Sequence, residues 1–136
     1  MKPPAAPRVL VLDDSLLSRT VVADGLSDAG YIVDVAATVP EALTLVTRQR
    51  PDVAILDLFL GEGKSGLELA RNLRRDPATA ETFIVVLSGH YAPDCLHLAR
   101  AAACDRVLIK PCENKVLIET IEQFLGMRRG RAPASA

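Results

Sequence analysis

Along the chain, short unbroken apolar runs alternate with longer stretches in which apolar residues return every three or four positions. The first run, RVLVLDD (8–14), is aliphatic and ends in two adjacent acids, the pattern of a strand buried on both faces. After it, SLLSRTVVADGLSDAG (15–30) sets Leu17, Val21, Val22, Leu26 and Ala29 at helical spacing, with Ser15 as N-cap and Gly30 as stop. YIVDVA (31–36) reads as a second strand. Thr38 and Glu41 then form a capping-box pattern that opens a helix to about Arg50. PDVAILDL (51–58) is a third strand carrying Asp57 near its end, and LFLGEGKSG is a glycine-bearing loop. Ser65 and Glu68 make a second capping-box pattern, opening a helix that Pro77 ends. TFIVVLSG (82–89) is a fourth strand, 92–103 a weaker helix and DRVLIKP (105–111) a fifth strand. The pattern closes with an amphipathic helix over 113–125, with Val116, Leu117, Ile121, Phe124 and Leu125 facing inward.

Five strands alternating with five helices predict βαβ units: an α/β, doubly wound parallel sheet with helices on both faces. The domain is expected over 8–126, with 1–7 as an N-terminal extension and 127–136 as a polar, basic, disordered tail. A formal net charge of −1 excludes a general electrostatic attraction to nucleic acid or anionic membrane, so no direct DNA binding is expected. No apolar run approaches the ~20 residues that span a bilayer, and prolines occupy the N-terminus where a signal peptide needs an apolar stretch. Cys95, Cys104 and Cys112 lack metal-like spacing and read as reduced core thiols of a cytoplasmic protein.

In such a sheet all strands end at one edge, where ligands bind. The tips carry Asp13 and Asp14 after the first strand, Asp57 at the third, Ser88 at the fourth and Lys110 at the fifth. If the first and third strands are neighbours, ~4.8 Å apart, three carboxylates converge. A divalent cation resolves their repulsion, and oxygen donors without His or Cys point to Mg²⁺ or Mn²⁺ rather than zinc. One acid is then free to act as a nucleophile towards a phosphoryl group, with Lys110 and Ser88 steadying its oxygens.

DD at 13–14, ILDL with Asp57, LSG with Ser88 and IKP with Lys110 resemble the receiver domain of two-component response regulators, over roughly residues 8–125. The resemblance implies a flavodoxin-like sheet of order 2-1-3-4-5, with Asp57 as phosphoacceptor for a histidine kinase or a His phosphotransfer protein. It implies Mg²⁺ held by Asp14, Asp57 and the backbone carbonyl of Phe59, with Asp13 binding through water. Ser88 and Lys110 would meet the phosphoryl group, and Lys110–Pro111 would be cis. A responsive surface for a downstream protein is implied over roughly residues 92–125. With only eleven residues after Leu125, the chain reads as a stand-alone, chemotaxis-regulator-like receiver.

Three features depart from the family pattern. Val107 stands where a switching aromatic is usual, and DLFLGEGKSG lacks the usual proline and is one residue longer. That loop is expected to be more mobile or to offer a different partner surface. Phe59 and His90 occupy positions that tune phosphoryl lifetime. Competing readings are a receiver-like interaction module that no longer switches, and an Mg²⁺-dependent phosphohydrolase with an Asp nucleophile. The latter's family spaces its first acids as DxD and adds a cap, neither of which is present here. A flavin or nucleotide module needs a glycine-rich phosphate loop, which DDSLLSRT does not provide.

Overall fold

Each apolar run predicted as a strand forms one. The computed structural model describes residues 6–89 and 93–131. Its elements are β1 (Arg8–Leu12), α1 (Leu16–Asp28), β2 (Ile32–Ala36), α2 (Val39–Arg48) and β3 (Val53–Asp57), followed by α3 (Leu67–Arg75), β4 (Phe83–Ser88), α4 (Pro93–Ala101), β5 (Arg106–Ile109) and α5 (Asn114–Arg131). The strands form one parallel sheet in the order β2-β1-β3-β4-β5.

Because successive strand side chains point to opposite faces, the sheet sorts its apolar residues into two cores. Leu10, Leu12, Ala54, Leu56, Ile84 and Val86 pack with residues of α2, α3 and α4. Val9, Val11, Val53, Ile55, Val85 and Leu87 pack beneath α1 and α5, joined by Leu26, Leu117 and Ile121. Phe83 stacks on Phe124 with ring centroids 4.1 Å apart. The central strands are buried on both faces, while the edge strands leave Ile32, Val35 and Ile109 exposed. At the edge opposite the strand tips, the Arg74 guanidinium donates to the carbonyls of Ala80, Thr82 and Ala103 and pairs with Asp105 at 2.8 Å.

Helix starts follow local chemistry in two of three cases. Ser15 accepts from the Ser18 N–H, and Thr38 accepts from the Glu41 N–H while the Glu41 carboxylate reaches back to the Ala37 N–H. The capping box expected at Ser65 and Glu68 does not form. Gly66 takes the N-cap position, and the Ser65 hydroxyl accepts from the Leu67 N–H instead.

Helix faces need three corrections. Leu17, Val21 and Ala29 of the first helical stretch are exposed, because Val22 and Leu26 define the stripe that meets the sheet and Leu17 lies about 140° around the helix from Val22. Val116 is also exposed, and Ile118 packs inward in its place. Finally, α5 continues to Arg131, so the first residues of the expected tail are helical, and 132–136 lie outside the described residues. The cysteines are free, Cys95 buried and Cys104 and Cys112 half-buried. Burial pushes the Cys104 thiol up to about 11, so it stays protonated at neutral pH.

The two α5 positions predict opposite outcomes in urea unfolding. Leu117→Ala lowers stability by about 2–5 kcal/mol through a buried cavity, and Val116→Ala changes it by no more than about 0.5 kcal/mol.

Candidate functional site

Leu12 of β1 is paired with Leu56 of β3, so Asp13 and Asp57 emerge side by side one step further along. Asp13 is buried, and each of its polar groups is engaged. Its N–H donates to the Ala36 carbonyl, one carboxylate oxygen accepts from the Ser15 N–H at 2.9 Å, and its carbonyl accepts from the Arg19 guanidinium at 2.9 Å. Asp14, by contrast, is exposed. One carboxylate oxygen from each of Asp13, Asp14 and Asp57 lies within 4.8 Å of the others.

Lys110 follows β5, its N–H donating to the Ser88 carbonyl at 2.7 Å, and the Lys110–Pro111 bond is cis. Its Nζ stands 3.2 Å from Asp57 Oδ2 and 3.5 Å from Asp13 Oδ2. Ser88 is buried at the end of β4, which pairs with β3 on the far side from β1. Burial is the main cause that raises the Asp57 carboxyl above its ordinary value of 3.8. Lys110 opposes the rise, and the charges of Asp13 and Asp14 add to it.

Three carboxylates against one ammonium leave two negative charges unbalanced at the tip. A divalent cation of the hard, oxygen-binding kind matches both that charge and the donor set. The residues present therefore fit Mg²⁺ or Mn²⁺.

The loop after β3 closes as a hairpin rather than running as an open segment. Phe59 bridges Ser65, the Leu60 N–H donates to the Lys64 carbonyl at 3.0 Å, and the Lys64 N–H donates to the Gly61 carbonyl at 2.9 Å. Gly61, Glu62 and Gly63 all have positive φ, which makes the turn. Phe59 opens the hairpin with about half its surface exposed, 52%. The backbone of Gly66 lies against the Asp57 carbonyl so closely that a Cβ there would collide with it.

Sequence reasoning named Asp13, Asp14, Asp57, Ser88 and Lys110, and the strand tips gather all five. His90 lies outside the described residues, and Val107 is half-buried against the core under α2–α4. Four residues were missed. Arg19 holds the acidic turn through a backbone carbonyl, and Gly61 and Gly66 flank Asp14 and Asp57. Asn114 donates to the Val21 carbonyl at 3.1 Å, tying the start of α5 to α1. The glycines in DLFLGEGKSG were the available signal, since glycine marks positive φ or close backbone approach. Leu17 and Val21, with Lys110, Pro111, Cys112 and Asn114, line a groove of about 550 Å³ that opens beside Asp13.

Comparison with known proteins agrees with this geometry. Residues 9–122 match the family described as response regulator receiver domain. The phosphate regulon transcriptional regulatory protein PhoB of Pseudomonas aeruginosa is 30% identical over 117 residues, covering 86% of this chain and 51% of that protein. The chain thus spans about half the length of this curated relative. The chemotaxis protein CheY4 of Vibrio cholerae superposes with a TM-score of 0.82 at 31% identity, covering 88% of this chain and 98% of the other. A response regulator protein from Burkholderia pseudomallei, solved with a phosphorylated aspartic acid, calcium ion and citrate, gives a TM-score of 0.75 at 29% identity. That match covers 82% of this chain and 64% of the other.

The raised Asp57 carboxyl makes a signed prediction. A carboxyl held above its unfolded value favours the fold while protonated, and that contribution is lost as pH rises through the folded value. Asp57→Asn therefore raises the melting temperature of the metal-free protein at neutral pH. The gain disappears below about pH 3, under the ordinary value of 3.8, where Asp57 is protonated in both states; thermal unfolding in a chelating buffer across pH measures both.

Proposed function

The chain belongs to the response regulator receiver domain family of two-component systems, and on that premise we propose that Asp57 is its phosphoacceptor in a Mg²⁺-dependent reaction. Receiver domains are signalling domains that act through histidine kinases and downstream targets, and are not in general enzymes. The observation that carries the proposal is the Asp57 carboxylate, buried among Asp13 and Asp14 with Lys110 Nζ 3.2 Å away.

In this reading an Asp57 oxygen forms a bond to phosphorus as the N–P bond of a phosphohistidine on the donor protein breaks. The donor imidazole leaves with the electron pair. Asp14, Asp57 and the Phe59 carbonyl would hold Mg²⁺, with Asp13 acting through water. When bound, the cation neutralises charge developing on the phosphoryl oxygens. Lys110 turns its ammonium from the carboxylates to a phosphoryl oxygen, and the Ser88 hydroxyl donates to another. Burial of Asp57 limits water at the acyl phosphate, and Phe59, at the start of the hairpin, adds to that shielding. The apolar rim at Leu17 and Val21 beside the site supports contact with a phosphodonor protein.

The output surface proposed over residues 92–125 includes the exposed Leu98, Ile109 and Val116. No helix among the described residues is long and apolar enough to cross a membrane, and a cytoplasmic location is part of the proposal. A second reading, an interaction module that binds but does not switch, is favoured by Val107, a small aliphatic packed into the core where a movable ring is usual.

Incubation with Mg²⁺ and acetyl phosphate adds the mass of one phosphoryl group to the wild type and none to Asp57→Asn. An equal adduct on the variant overturns the proposal. Under beryllofluoride, NMR shift changes that reach α4, β5 and α5 support switching, and changes confined to the strand tips support the second reading.

A further inference from the structure

The three acids are not held alike. Asp13 gives one oxygen to Ser15 and faces Lys110 with the other, and Asp57 is paired with Lys110. Asp14 is exposed, and among the described residues its carboxylate has no hydrogen bond or ion pair. An unheld carboxylate loses rotamer freedom when it ligates, so whatever walls it in decides how well it is placed.

That wall is Gly61. A Cβ built on it would stand 3.3 Å from Asp14 Oδ2, tighter than an ordinary van der Waals contact, so the carboxylate or the hairpin would have to give way. The hairpin keeps Gly61 there through the Leu60–Lys64 and Lys64–Gly61 hydrogen bonds and a φ of +77°. Glycine is thus favoured at this position by both backbone conformation and clearance.

We propose that Gly61 is a positioning residue for the metal site, setting the room beside Asp14 so that the site favours Mg²⁺ over larger cations. The inference rests on the reading of Asp14 as a direct ligand. A Cβ at position 61 displaces either Asp14 or the hairpin by a few tenths of an ångström. That is about the difference between Mg²⁺–oxygen distances of ~2.0–2.1 Å and Ca²⁺–oxygen distances of ~2.3–2.6 Å. Mg²⁺ demands near-ideal octahedral geometry and loses most from such a displacement, whereas Ca²⁺ accepts irregular coordination.

Gly63 supplies the control. Its φ is +72°, so alanine there meets the same backbone strain, yet nothing lies within 4 Å of its added Cβ. Calorimetric titration of the full chain with Mg²⁺ and with Ca²⁺ compares wild type, Gly61→Ala and Gly63→Ala, with thermal unfolding of each. Both variants melt lower by similar amounts. Gly61→Ala raises the Mg²⁺ Kd by about tenfold and the Ca²⁺ Kd by clearly less, and Gly63→Ala leaves both close to wild type. Should Gly61→Ala fail to fold, Glu62→Gly in the same chain offsets strain at the other left-handed position, φ 52°, and carries the same expectation. Equal Mg²⁺ losses in the two alanine variants, equal losses for the two ions in Gly61→Ala, or no loss in Gly61→Ala each overturn the inference while the site reading stands. A wild type that binds no Mg²⁺ overturns both.

Discussion

Everything at the strand tips depends on the repulsion between three carboxylates that the sheet brings together. Parallel pairing of β1 with β3 puts Asp13 and Asp57 at one level, and chain continuity adds Asp14. Lys110 reaches two of the three acids, and burial, with a smaller push from the charges of Asp13 and Asp14, raises the Asp57 carboxyl. A site of this kind is held in a state that a cation or a phosphoryl group relieves. Asp13 is held against that repulsion by hydrogen bonds from the Ser15 N–H and the Arg19 guanidinium.

The fold was legible because its signals are periodic. Central strands appear as continuous aliphatic runs, and a parallel sheet aligns their tips whatever the loops contain. Polar residues at four tips could therefore be read as one site from the sequence alone. Helix faces were less legible at their ends. Leu17 and Val116 satisfy the helical period, but the period does not say where along a helix the sheet lies beneath it. The Ser65–Glu68 pattern failed for a related reason: the chain needs Gly66 at the helix start so that α3 can approach the Asp57 backbone, and that tertiary demand overrides the local capping preference.

Backbone-mediated contacts were not legible at all. Arg19 acts on a carbonyl and Asn114 acts on a helix carbonyl, and such acceptors exist at every residue, so sequence offers nothing to select one. Gly61 lies between these cases. The loop's departure from the family pattern was visible, but its shape was not: the hairpin closes on itself through consecutive left-handed conformations at Gly61, Glu62 and Gly63.

The division of the interior into two cores has a further consequence. Alternate residues of each strand serve different layers, so β1 is gripped from both sides by groups that never touch each other. The tip of such a strand behaves like a ruler clamped between two plates. Its angle is set by both grips together, so packing on either face bears on where the acids stand. At the far end of β1 the Arg8 N–H donates to Asp52 and its guanidinium pairs with Asp34, so the free end of the strand is the one that carries the carboxylates.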